Sequence, residues 1–221
     1  MSLGLLLDVD GTLMDTFEDI LTSMNLALAE VSVIPPLRDD ELRPLIGRPV
    51  AYQMGALRGT PENLAAEIND RYYRHFTAIV RERVRLYPGV EQTLEALAGR
   101  RIGTFTTRRK EVAQLMFRVA GIERHFTAIT GGDEVSRPKP NPDLALHAAK
   151  AVGVAPGMAV IVGDAPVDIQ AGKAAGTWTV AAIYGYGGAG PLRGAGPDME
   201  ISRFAELPQV LEELDRRGPY Q

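Results

Sequence analysis

Asp8-Val9-Asp10-Gly11-Thr12-Leu13 sets two carboxylates at i and i+2 directly after the apolar run Leu3–Leu7. A buried strand that ends in acids puts them at its carboxyl end, where open α/β sheets bind their ligands. Paired carboxylates there are groups for proton transfer, nucleophilic attack or metal ligation. A lone Asp-x-Asp would read as a turn cap; the full string, with Gly-Thr after an apolar strand, reads as a reactive site. Three more polar groups follow later strand-length runs. Thr106-Thr107 closes Ile102–Phe105, and Gly163-Asp164-Ala165-Pro166-Val167-Asp168 follows Met158–Val162. Lys139 stands in Arg137-Pro138-Lys139-Pro140, where proline restricts the backbone on both sides. Each alone has an ordinary reading, as a surface lysine or as acids at a helix start. Their joint placement at one sheet edge argues against that reading.

The elements that must position these groups are legible as alternation. Leu3–Leu7, Ile102–Phe105, Phe126–Ile129, Met158–Val162 and Thr179–Ile183 are short, continuous apolar runs, as expected of strands buried on both faces. Helical stripes lie between them: Val90, Leu94 and Leu97; Val112, Leu115, Met116 and Val119; Leu207, Val210, Leu211 and Leu214. Asn141-Pro142-Asp143 predicts a capped helix start. The pattern predicts a doubly wound, Rossmann-like parallel sheet. One stretch, 15–87, breaks the rhythm with helical stripes only: Phe17, Ile20, Leu21, Met24 and Leu28, then Leu64, Ile68, Tyr72, Phe76 and Val80. Asp15 with Glu18 resembles a capping box for the first of these helices. The stretch is too long for a crossover and predicts a small helical domain above the sheet edge. Residues 1–14 and 88–221 then form the α/β core.

Composition narrows the function classes. The chain has 221 residues, 45% of them hydrophobic, and a formal net charge of −4 with no Lys/Arg-rich run, which argues against binding to nucleic-acid backbone. Zero cysteines exclude disulfides, thiolate nucleophiles and Cys-bound zinc. His75, His125 and His147 lie far apart and read as surface or packing residues. The N-terminal apolar run is short and broken by Asp8, so neither a membrane span nor a signal peptide is expected. A cytoplasmic location is the default expectation, with the chain as monomer or homodimer.

Taken in order, these motifs resemble the haloacid dehalogenase superfamily of phosphatases, in the branch similar to phosphoglycolate phosphatase. Asp8-Val9-Asp10-Gly11-Thr12 is similar to the family's first motif, Thr106 to its second, Lys139 to its third, and Gly163-Asp164 with Asp168 to its fourth. The helical stretch takes the place of the family's cap. The resemblance implies that Asp8 attacks phosphorus to give an aspartyl-phosphate and that Asp10 is general acid and base. It implies that Thr106, Thr107 and Lys139 bind the phosphoryl group. It further implies Mg²⁺, held by Asp8, the main-chain carbonyl of Asp10, Asp164 and Asp168, with Asp168 acting directly or through water. A phosphate dianion among four carboxylates also needs such a counter-charge.

Departures from the family's pattern bear on the substrate. Thr107 and Arg108 stand where relatives often carry Asn and Lys. The acid at Asp10 argues against carbon–halogen cleavage. Gly47-Arg48-Pro49 resembles a cap segment that approaches the site, which makes Arg48 a candidate grip for a substrate anion. Tyr184-Gly185-Tyr186-Gly187-Gly188 resembles a loop on the site's side. The expected activity is hydrolysis of a small phosphomonoester such as phosphoglycolate. Pyrophosphate hydrolysis, phosphosugar mutation and a non-catalytic binding role are the alternatives.

Overall fold

The computed structural model describes residues 2–32 and 35–220. Its centre is a five-stranded sheet, all parallel, in the order β2-β1-β3-β4-β5. The strands are β1 (Gly4–Leu7), β2 (Ile102–Thr104), β3 (Ala159–Gly163), β4 (Trp178–Ala182) and β5 (Met199–Ile201). Every residue of β1 and β3 is buried, which is why these strands read as unbroken apolar runs. Successive side chains enter different cores. Leu5 and Leu7 join Val90, Met116 and Leu211. Leu6, Ala159 and Ile161 join Leu144, Ala148 and Ala171. Helices α5 (Val90–Ala96), α6 (Lys110–Val119) and α10 (Leu207–Arg217) thus serve one side, and α7 (Asp143–Ala151) and α8 (Pro166–Ala174) the other. That is the expected doubly wound layering.

Between β1 and β2 the chain builds α1 (Phe17–Glu30), α2 (Asp39–Leu42), α3 (Val50–Arg58) and α4 (Glu62–Glu82). Phe17, Ile20, Met24 and Leu28 of α1 are buried, as are Ile68, Tyr72, Phe76 and Val80 of α4; Leu21 and Leu64 are only partly covered. The chain leaves and re-enters the core at one place. Met14 bridges Leu86 in antiparallel fashion, Asp15 N–H donates to Arg85 O (2.9 Å), and Tyr87 N–H donates to Leu13 O (3.0 Å).

Several local expectations are corrected. Phe126–Ile129 is not a strand: it lies beside β2 at the sheet's end and pairs with it through one isolated bridge, Gly103–Ala128, supported by Thr127 N–H donating to Ile102 O (2.7 Å). The fifth strand is instead Met199–Ile201, whose first two residues are not buried and so carry no apolar run. The glycine-rich stretch after Tyr184 contains a six-residue helix, α9 (Ala189–Gly194). Thr16, not Asp15, precedes α1, and no side chain caps it; the Asp15 carboxylate instead accepts from the Tyr186 hydroxyl (3.3 Å). Pro142 holds the cap position of α7, because Asn141 spends its side-chain amide on Pro138 O (3.0 Å). On α6 the buried face is Val112, Ala113, Met116 and Phe117, and Val119 is exposed.

Candidate active site

Register brings the motifs to one edge. Leu7 pairs with Thr104 on one side and with Val162 on the other. Asp8, Phe105-Thr106 and, just past Gly163 at the end of β3, Asp164 therefore emerge at the same edge of the sheet. Asp8 is held there by its N–H donating to Val162 O (2.9 Å), and Phe105 by its N–H donating to Leu7 O (2.7 Å).

Three of these acids converge. Asp8, Asp164 and Asp168 are all buried and offer one carboxylate oxygen each, with the three oxygens within 4.8 Å of one another. Lys139 Nζ bridges two of them, at 2.7 Å from Asp168 Oδ1 and 3.2 Å from Asp8 Oδ1, and lies 3.8 Å from the centre of the Phe105 ring. Burial raises the Asp8 carboxyl to about 7, with Asp168 and Asp10 adding repulsion and Lys139 opposing it. Burial, then repulsion from Asp8 and Asp168, raises Asp164 well above its ordinary value. Burial alone would lower the Lys139 ammonium; Asp168 and Asp8 outweigh it and hold its pKa above the usual value. One lysine does not balance three buried carboxylates, and their oxygens fit a hard divalent cation such as Mg²⁺.

The outer contacts are built for this geometry. Asp164 Oδ2 accepts from Tyr186 N–H (2.7 Å) and Oδ1 from the Thr12 hydroxyl (3.1 Å). Asp168 Oδ2 accepts from Ala165 N–H (2.9 Å). The Tyr184-to-Gly188 loop is thus part of the site's frame, and Tyr184 OH ties it to Thr12 O (2.6 Å). A Cβ at Gly185 would lie 2.3 Å from Asp164 Cβ and 2.4 Å from Gly11 O. Gly185→Ala is therefore expected to displace Asp164, lowering the melting temperature by several degrees and weakening any divalent-cation binding by the triad at least about tenfold. Calorimetric titration of the variant checks this; unchanged affinity would show that the loop moves independently of Asp164.

Asp10 does not add its carboxylate to the triad. Arg108 holds it bidentately, Nε to Oδ2 at 2.7 Å and Nη2 to Oδ1 at 2.8 Å, and the Thr16 hydroxyl also donates to Oδ1. Thr106 is buried at the strand end and its hydroxyl oxygen accepts from Arg108 N–H (3.2 Å). Thr107 lines a cavity of about 50 Å³ together with Asp10, Arg108, Gln53, Tyr72 and Arg48. Arg48 is half-buried, its guanidinium 5.0 Å from the centre of the exposed Tyr52 ring. The histidines stay apart from the site: His75 meets Glu30 and His147 meets Glu134. Three contributors escape a reading of the motifs. Thr16 and Gln53 carry no motif signal, and Tyr72 is hidden because its spacing assigns it to the apolar stripe of α4. Adjacency to Thr106-Thr107 is the signal that singles out Arg108.

Comparison with known proteins shows the family. Residues 5–182 match the haloacid dehalogenase-like hydrolase family. A phosphoglycolate phosphatase of Agrobacterium fabrum is 32% identical over 219 residues, covering 96% of this chain and 93% of its own. A plasmid-borne phosphoglycolate phosphatase of Cupriavidus necator is 30% identical over 214 residues, covering 94% and 92%. A crystal structure from Haemophilus somnus, described as a predicted phosphoglycolate phosphatase, superposes with a TM-score of 0.81 at 26% identity, covering 94% and 96%. The chain belongs to the haloacid dehalogenase-like hydrolase family. Within that family it is a phosphate-ester hydrolase. Among the described residues, no helix is long and apolar enough to cross a membrane.

Proposed function

We propose that this chain hydrolyses a small, phosphoglycolate-like phosphate monoester with Mg²⁺ and through an aspartyl-phosphate on Asp8. The observation that carries this reading is the buried triad Asp8-Asp164-Asp168 with Lys139 spanning two of its members. Asp8, at the end of β1, attacks phosphorus. Lys139 neutralises the phosphoryl oxygens as a point charge, and the Thr106 hydroxyl donates to them. Asp10 gives a proton to the leaving oxygen and then takes one from the water that attacks the Asp8 phosphoester. A bound Mg²⁺ would be held by Asp8, Asp164 and Asp168, with the Asp10 carbonyl, and would offset the charge of the incoming dianion. Helices α1–α4 act as a cap. Tyr72 of α4, Gln53 of α3 and Arg48 of the loop before α3 line the cavity beside Asp10, and its size favours a leaving group of few atoms over a sugar or nucleoside.

Phosphate release from phosphoglycolate, pyrophosphate, sugar phosphates and nucleotides, with Mg²⁺ and with EDTA, tests the reading. We expect release that EDTA abolishes, with phosphoglycolate exceeding the sugar phosphates by at least about tenfold. Equal rates with and without chelator, or a nucleotide as best substrate, would overturn it.

A further inference from the structure

At Arg108 the core, the helical insertion and Asp10 meet. It follows β2 in sequence, its side chain is 5% exposed, and both oxygens of Asp10 lie in its fork. Its guanidinium carbon sits 3.6 Å from the Phe76 ring centre, and Nη1 donates to Tyr72 OH (2.5 Å), both residues of α4. A guanidinium has five N–H donors. Two go to Asp10 and one to Tyr72. The remaining two have no partner among the described residues, and Arg108 lines the small cavity beside Asp10.

This arrangement poses a charge problem for the proposed reaction, on which the inference rests. Asp10 has to turn toward the leaving oxygen. If it does so alone, Arg108 stays buried without its anion, a state that is strongly unfavourable. The geometry points to Arg108 as the specificity-determining residue: it receives a carboxylate carried by the leaving part of the substrate, which takes Asp10's place on the guanidinium and frees Asp10 to face the leaving oxygen. The substrate class is then the phosphate esters of short hydroxy acids. The planar fork suits a carboxylate, and the small cavity that Arg108 and Asp10 line together suits a short chain between that group and the ester oxygen. Arg48 is less suited to this role, because it is half-exposed against Tyr52, where solvent screens its charge.

The test compares three two-carbon esters that differ in the charge of the leaving part: phosphoglycolate, ethyl phosphate and 2-aminoethyl phosphate. In the unaltered enzyme, kcat/KM for phosphoglycolate should exceed that for ethyl phosphate by about 100-fold or more, with the cationic ester slowest. Arg108→Met should bring the first two within about fivefold of each other, Arg108→Lys should keep part of the preference, and Arg48→Met should keep most of it. Equilibrium binding of phosphoglycolate and ethyl phosphate to Asp8→Asn protein, with and without Arg108→Met, gives the same comparison without turnover. If no ester is hydrolysed but binding still prefers phosphoglycolate through Arg108, the phosphatase reading fails and the assignment of Arg108 stands. If the preference survives Arg108→Met, or collapses with Arg48→Met alone, the assignment is overturned.

Discussion

Asp8→Asn is expected to lower phosphate-ester turnover by on the order of 10⁴-fold or more, and at the same time to raise the melting temperature of the metal-free protein at pH 8. The first effect follows from the proposed chemistry, since an amide is too poor a nucleophile to attack phosphorus. The second follows from electrostatics. Burial and the neighbouring carboxylates raise Asp8 to about 7, so its charged form is disfavoured in the folded metal-free protein despite Lys139. Below the unfolded value near 4 this imposes no penalty. As pH rises from there through about 7, the folded state holds a proton that the unfolded state has released, and stability falls. Asparagine mimics the protonated form and removes that fall. Melting curves of metal-free protein from pH 5 to 8 should therefore slope downward for the unaltered chain and less steeply for Asp8→Asn. Saturating Mg²⁺ should reverse the order at pH 8, because it stabilises the intact triad more than the depleted one. If Asp8→Asn melts lower than the unaltered protein at pH 8 without metal, the raised Asp8 pKa is wrong. Substantial residual turnover would remove Asp8 from the nucleophile's role.

The legible part of this molecule is the part where one residue type answers one physical demand. Leu3–Leu7 and Met158–Val162 are unbroken apolar runs because both faces of β1 and β3 are buried, and the acids after them are conspicuous for breaking those runs. Lys139 between two prolines stands out for the same reason. Where two demands compete, the pattern misleads. Phe126–Ile129 is apolar enough for a strand, yet beyond β2 it finds only one bridging residue. Met199–Ile201 pairs with β4 while leaving its first residues partly exposed, so no apolar run marks it. Asn141 and Asp15 have the chemistry of helix caps, but Pro138 O and Tyr186 OH claim their side chains first. Tyr72 keeps helical spacing with Ile68 and Phe76, so periodicity assigns it to the core. Only the fold brings its hydroxyl to Arg108. The motif residues were thus readable singly, whereas the pairing of Asp10 with Arg108 required the insertion to be in place.

Lys139→Met is the second change with a large expected effect, and it separates two roles that the lysine combines. Methionine keeps most of the length and removes the charge from a side chain with no exposed surface. Asp168 loses a contact at 2.7 Å and Asp8 one at 3.2 Å, beside the apolar Phe105 ring. Breaking a buried ion pair from one side costs about 3–5 kcal/mol, because the remaining charges stay buried and uncompensated. For a chain of this size that is a fall in melting temperature of roughly 6–20 °C. The fall should shrink toward pH 5, where Asp8 takes up a proton and less negative charge is left unbalanced; without Lys139, the one cation lowering it, Asp8 protonates at still higher pH. Mg²⁺ should restore much of the stability at neutral pH, since it too balances the triad. It should not restore turnover, which we expect to remain down about 10³-fold, because the phosphoryl group has lost the Lys139 charge. Lys139→Arg should fare little better: the charge is kept, but the larger planar head has no room where the ammonium is fully enclosed. Melting curves and phosphate release on the same Mg²⁺-loaded samples decide the matter. Stability regained with turnover still lost places Lys139 on the phosphoryl group; both regained together would make it a structural counter-ion to Asp8 and Asp168.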